Sequence, residues 1–253
     1  MSCSTRSSPH TESSSPLRRN AGRLIVIEGI DGAGKGTQTE LLAASLKSVG
    51  REVVILSFPR YQKTFFGKRV GDFLNGRFGS LEQVHPFLAS LLYAGDRFES
   101  RQLLSEALSQ GKIVICDRYV TSNLAHQLIK APQAARAEMK EWIEQVEHEI
   151  FGLPRPDLIL LLDTTAETAT ALIDRKSIRE YTTAKADMHE ADQDYLRRVL
   201  YEYRAMAAGN LHWRVIPCLE DSALRSKTSI AADVFHTVQQ FLAMPSLPAT
   251  QYP

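Results

Sequence analysis

The sequence predicts an α/β fold: a five-stranded parallel sheet with helices on both faces. Three observations carry that expectation. Five short apolar runs punctuate the chain, at 24–28 (LIVIE), 53–58 (VVILSF), 113–116 (IVIC), 158–162 (LILLL) and 213–216 (WRVI). Most are apolar without alternation, the pattern of strands buried on both faces. Segments of helical pattern separate them, and strands alternating with helices build a parallel sheet. A glycine-rich turn follows the first run and opens a helix, as a phosphate-binding loop requires.

The helical segments follow in order. Residues 35–49 form the helix opened by the turn, and 84–110 form a long stretch that breaks. In 138–150, Met139, Trp142, Ile143, Val146 and Ile150 recur at helical spacing and predict one apolar stripe. Segments 192–208 and 229–242 complete the set. The expected organisation is a tail over 1–21, one domain over 22–243, and a C-terminal tail over 244–253. Residues 1–21 are rich in Ser and Arg with Glu12 as their acid, and they lack the apolar core of a secretory signal. Two readings stand, an organelle transit peptide or a disordered tail, and composition favours the tail. An insertion at about 174–190 is polar and without apolar period, so it reads as a solvated loop or a mobile lid.

Composition narrows the partners. At 43% hydrophobic, the chain can bury a sizeable core without disulfides or metals. Its formal net charge of +1 gives no support to a nucleic-acid or membrane-surface role, so any anion site must be local. Cys3, Cys116 and Cys218 are scattered, as expected of reduced thiols in a cytoplasmic protein. No apolar run approaches the roughly 20 residues that span a bilayer.

The turn is Gly29-Ile30-Asp31-Gly32-Ala33-Gly34-Lys35-Gly36-Thr37. Its glycines let successive backbone N–H groups converge on phosphate oxygens, and the helix N-terminus adds positive potential. Lys35 brings a full charge to the β- and γ-phosphates. The common pattern places Ser or Thr directly after the Lys as a Mg²⁺ ligand, whereas here Gly36 intervenes. Thr37 is left to contact the α-phosphate, or to reach the metal through water.

Three further clusters suit a second phosphorylated ligand. Phe58-Pro59-Arg60-Tyr61 ends the second strand, where sheet ligands bind and where Arg60 can meet a phosphate. Tyr93 and Arg97 are four apart and share a helix face, so a ring can stack on a base while an Arg bonds a base carbonyl. Asp117-Arg118 leaves the third strand, followed by Ser122, Asn123, His126 and Gln127. Asp117 can orient a metal's waters or a neighbouring cation, and the planar fork of Arg118 can span donor and acceptor phosphates.

With these residues in view, the chain resembles the thymidylate kinase family from about Arg23 to Leu242. The resemblance implies a P-loop NTPase fold of the nucleoside-monophosphate kinase type. It implies ATP and dTMP as substrates, Mg²⁺ as cofactor, a role in dTTP biosynthesis, and a homodimer. Arg60 and Arg118 match residues that bind the acceptor phosphate, and Asp31 matches the one that meets its 3′-hydroxyl. Tyr93 matches an aromatic, usually Phe, that stacks on thymine, and Arg97 matches the Arg that reads O4. Asn123 matches a residue facing the base. His126 replaces a Tyr or Phe near the deoxyribose 2′ position. Many members carry an Arg in the phosphate loop, where this chain has Gly32 and Ala33. Catalytic cations are therefore expected from the 174–190 insertion, with Arg175 and Arg179 the candidates beside Lys176 and Lys185. The rival readings are a kinase for another monophosphate or a deoxynucleoside, and a nucleotide-binding protein without turnover.

Overall fold

The computed structural model describes residues 22–80, 83–174 and 193–244. The N-terminal tail, the C-terminal tail beyond Met244, the 174–190 insertion beyond Asp174, and Arg175 and Arg179 within it lie outside the described residues. The five apolar runs become β1 (Arg23–Glu28), β2 (Val53–Ser57), β3 (Ile113–Asp117), β4 (Leu158–Asp163) and β5 (Trp213–Pro217). They form one parallel sheet in the order β2-β3-β1-β4-β5. The central strands are the most apolar: Leu24 to Ile27 and Leu160 to Leu162 have no exposed surface. A short antiparallel pair, β6 (Leu219–Glu220) and β7 (Ala223–Leu224), follows β5 and has no counterpart in the expected elements.

Register decides where the loops meet. Ile27 pairs with Asp117, and Ser57 pairs with Asp117 from the other side. The carboxyl ends of β1, β2 and β3 therefore stand level, and the three loops that leave them open onto one crevice.

Nine α-helices are described: α1 (Lys35–Ser48), α2 (Phe65–Leu74), α3 (Pro86–Glu99), α4 (Arg101–Ser109), α5 (Val120–Leu128), α6 (Arg136–Glu144), α7 (Ala166–Ile173), α8 (Gln193–Ala207) and α9 (Lys227–Ala243). The long 84–110 stretch breaks at Ser100, between α3 and α4. Helix α2 is capped by Thr64, whose Oγ1 accepts from the Gly67 amide at 2.9 Å. It packs tightly on α3, because a Cβ on Gly95 would lie 2.5 Å from the Phe66 ring. Val70, Phe73, Leu74 and Ala89 form a small second core there, with Tyr93 packed against it. No helix among the described residues is long and apolar enough to cross a membrane.

The expected stripe over 138–150 needs a correction. Met139, Ile143 and Val146 are buried, but Ile150 is 65% exposed. After Glu144 the chain widens into a π-helical turn, Gln145–Ile150, and this changes which residues face inward. The inward residues of this turn are Val146 and Glu147, the latter with 0% exposure.

Candidate active site

The phosphate loop connects β1 to α1. Gly34 caps α1 in the left-handed region, at φ 90°. Gly32 is also left-handed, and a Cβ there would lie 2.2 Å from the Ala169 carbonyl oxygen on α7. Side chains are excluded at position 32 by that contact, which explains why the loop carries no Arg there. Lys35 folds back on the loop, donating to the carbonyls of Gly29 at 2.9 Å and Ile30 at 2.8 Å. Burial, helped by repulsion from Arg118, lowers its pKa to about 8.

A cavity of about 370 Å³ opens from this loop. Asp31, Gly32, Gly34, Lys35 and Gly36 line one end, with Asp117 and Arg118 beside them. Phe58, Ser57, Pro59 and Tyr61 form a further wall. Tyr93, Arg97, Ser122, Asn123, His126 and Gln127 complete it. Most of the residues singled out from the sequence thus surround one space. Gly29, Ala33, Thr37 and Arg60 do not line it. Thr37 points to solvent, and Arg60 donates from Nη1 to Ser100 Oγ at 2.8 Å.

Arg118 has a left-handed backbone, φ 67°, an uncommon conformation for a non-glycine residue. Its amide is held by the Ile27 carbonyl at 3.1 Å. Its guanidinium donates to Asp31 and to Ser122 Oγ, the latter at 3.2 Å, and lies 3.4 Å from His126 Nε2. Burial opposes that charge, but Asp31, Tyr203, Glu28 and Asp117 together outweigh it, and the guanidinium titrates well above its ordinary range. Asp117 is pushed up by burial, partly countered by Lys35.

Sequence reasoning missed two buried acids that organise these residues. Glu28 has no exposed surface and accepts from the Ser122 amide at 3.0 Å and Ser122 Oγ at 2.6 Å. Glu147 accepts from Arg97 Nε at 2.5 Å, from Arg97 Nη2 at 2.6 Å and from Asn123 Nδ2 at 2.8 Å. Burial works against the Arg97 charge, and Glu147 reverses the balance, so Arg97 sits above its ordinary pKa. A signal for Glu147 was present: Met139, Ile143 and Glu147 are spaced by four, so an acid stands on the apolar stripe and needs a buried cation. Asp96, between Gly95 and Arg97, was also missed. It accepts from the Arg60 amide at 2.9 Å and from Thr64 Oγ1, tying the FPRY segment to α3.

Among the described residues, no cluster of three or more His, Cys, Asp or Glu could hold a metal. Two hard oxygen donors stand at the loop: Asp31, already paired with Arg118, and Asp117, close enough that a Cβ on Gly36 would meet its Oδ2 at 3.3 Å. One carboxylate beside a phosphate loop fits Mg²⁺, which keeps most of its waters and takes its other ligands from phosphate.

The matches to known proteins agree with this geometry. The family model described as thymidylate kinase matches residues 27–223. The thymidylate kinase of Mycobacterium tuberculosis (strain ATCC 25618 / H37Rv) is 32% identical over 213 residues, covering 83% of this chain and 99% of that protein. The thymidylate kinase of Schizosaccharomyces pombe is 33% identical over 187 residues, covering 74% and 81%. Among solved structures, a thymidylate kinase from Candida albicans superposes with a TM-score of 0.68 at 23% identity, covering 87% of this chain and 92% of that one, a likeness of fold. The chain belongs to the thymidylate kinase family.

Proposed function

We propose that this protein transfers the γ-phosphoryl group of ATP to dTMP, giving ADP and dTDP. The observation that carries the reading is one cavity lined both by a phosphate loop and by the Arg97–Asn123 pair. Asn123 Oδ1 is buried and has no hydrogen-bond partner among the described residues. Its Nδ2 is spent on Ser90 O at 3.0 Å and on Glu147, so the amide orientation is fixed and an acceptor remains for the ligand. With Glu147 on Nε and Nη2, Arg97 keeps Nη1 to donate. An acceptor beside a donor complements the N3–H and O4 of thymine, while cytosine offers the reverse. Tyr93, held edge-on to Phe73 at 6.5 Å, supplies the stacking ring.

Phosphoryl transfer asks for in-line positioning and for neutralised charge. A phosphate oxygen of dTMP attacks the γ-phosphorus, the bond to the β-bridging oxygen breaks, and ADP leaves with that electron pair. The attacking oxygen is already ionised, so no general base is required. In this reading Lys35 leaves the loop carbonyls for the β- and γ-phosphates, and Arg118 lies between the two ligands. Asp31 receives the 3′-hydroxyl. Arg60 exchanges Ser100 for the acceptor phosphate, and Arg175 and Arg179 add charge over the transferring group. A Mg²⁺ held through water by Asp117 would supply further neutralisation of the ATP phosphates.

A homodimer belongs to the same reading, and exposed Leu88, Phe98 and Leu103 supply apolar surface for it; light scattering tests that assembly. The activity is tested by measuring ADP formation with dTMP, dUMP, dCMP and UMP. Faster turnover of another monophosphate would overturn the assignment. Binding of ATP with no transfer to any of them would point to the non-catalytic alternative.

A further inference from the structure

We propose that Glu147 is the specificity-determining positioning residue of this site, because it fixes which hydrogen-bonding edge the protein shows to the pyrimidine. This rests on the thymidylate reading above and deepens it. Glu147 is on the π-helical turn after α6, away from the phosphate loop, and it does not line the cavity. It nevertheless bonds both residues that would read the base. Its Oε1 accepts from Arg97 Nη2 at 2.6 Å and from Asn123 Nδ2 at 2.8 Å, and its Oε2 accepts from Arg97 Nε at 2.5 Å.

A neutral amide could be turned either way at little cost in water, so Asn123 alone does not choose between keto and amino pyrimidines. Here the choice is made for it. The Glu147 carboxylate only accepts, and the Ser90 carbonyl only accepts, so both hydrogens of Nδ2 are claimed and Oδ1 is the free edge. Turning the amide would set its oxygen against two acceptors in a buried setting, where Asn123 is 3% exposed and Glu147 is 0% exposed. The same carboxylate takes the Nε/Nη2 edge of the Arg97 guanidinium and leaves the Nη1 hydrogens to donate. One buried acid therefore sets an acceptor and a donor side by side, the order that a 4-keto pyrimidine with N3–H requires.

The test is Glu147→Gln, which keeps size and shape but places an N–H₂ donor against Arg97 or Asn123. We expect the ratio of kcat/KM for dTMP over dCMP to fall at least tenfold, with the dTMP KM rising and the ATP KM within twofold of wild type. A merely structural role would lower both monophosphates alike, and an unchanged ratio overturns the proposal. If Glu147→Gln does not purify as a folded protein, Glu147→Asp is measured instead. It keeps the charge but falls one methylene short of spanning Arg97 and Asn123, and the same fall in ratio is expected. The two readings fail differently: a wild-type protein that does not phosphorylate dTMP sinks the assignment, whereas active wild type with the ratio kept in the variant sinks only the role of Glu147.

Discussion

Arg118, the first residue after β3, donates to the carboxylate of Asp31 in the loop after β1. The pair joins two neighbouring strand ends through their side chains. It also holds the guanidinium in place before any phosphate arrives, so less reorganisation remains for the reaction step.

Replacing Arg118 with Ala should lower kcat/KM by about 10²–10³, the usual cost of losing one preorganised transition-state donor. The backbone cost of φ 67° is unchanged, because both residues carry a Cβ. Thermal melting should remain a single cooperative transition. Steady-state kinetics within tenfold of wild type would show that Arg118 does not touch the transferring group.

Lys35 makes the enzyme's response to alkaline pH run in two directions. Its pKa of about 8 in the folded chain lies below the ordinary 10.5. Between those values the unfolded chain binds the extra proton, so folding stability from this group rises with pH. Over the same window the cation proposed to meet the ATP phosphates is lost, and ATP affinity should fall about tenfold from pH 7 to pH 9. Urea denaturation and ATP titration across pH 7–10 check both signs, and Lys35→Met should remove both trends.

Gly32→Ala should damage the loop. The new methyl would meet the Ala169 carbonyl at 2.2 Å, on a backbone already at φ +86°. Relief requires α7 or the loop to move, at an expected cost of about 2 kcal/mol or more, with weakened ATP binding. Denaturation midpoint and ATP affinity should fall together; a variant with unchanged affinity would mean that loop and helix are less tightly docked than this contact implies.

The strands and the phosphate loop were legible because each has a local signature. An unbroken run such as LILLL can only be buried, and the glycine spacing of the turn encodes its own backbone shape. Helices α2 and α5 were harder. Helix α2 buries Val70, Phe73 and Leu74 against α3 in a small second core, with no long apolar period to announce it. Helix α5 was hidden because Thr121, Ser122, Asn123, His126 and Gln127 interrupt its apolar pattern. Arg60 stood out from its place at a strand end, yet its side chain bonds Ser100 outside the cavity wall, a pairing set by α3 and invisible to spacing. Glu28 was missed because a buried acid is decided by its partners, here 91 to 175 residues away, which no local pattern records. Glu147 stands on a legible apolar stripe, but its partners Asn123 and Arg97, 24 and 50 residues away, do not show in that pattern.

Glu28 shows how much such an acid can carry, and it yields the sharpest stability prediction. Its carboxylate accepts from the Tyr119 amide at 3.1 Å, Thr121 Oγ1 at 2.6 Å, the Ser122 amide at 3.0 Å, Ser122 Oγ at 2.6 Å and Tyr203 Oη at 2.9 Å. Five donors from α5, its N-terminal approach and α8 thus converge on the end of β1. In Glu28→Gln one of the two acceptor oxygens becomes a donor; Ser122 Oγ and Tyr203 Oη can turn to accept from it, but at least one donor hydrogen is then left without an acceptor in a fully buried setting. Each buried donor left unmet costs about 1–3 kcal/mol, so unfolding free energy should drop by at least about that much. The same change reaches the chemistry, since Ser122 Oγ is both a donor to Glu28 and the acceptor for Arg118. Urea denaturation should show the loss, and kcat/KM for dTMP should fall even under conditions where the variant is fully folded. A variant as stable as wild type would mean that water or a shifted side chain replaces the missing acceptor.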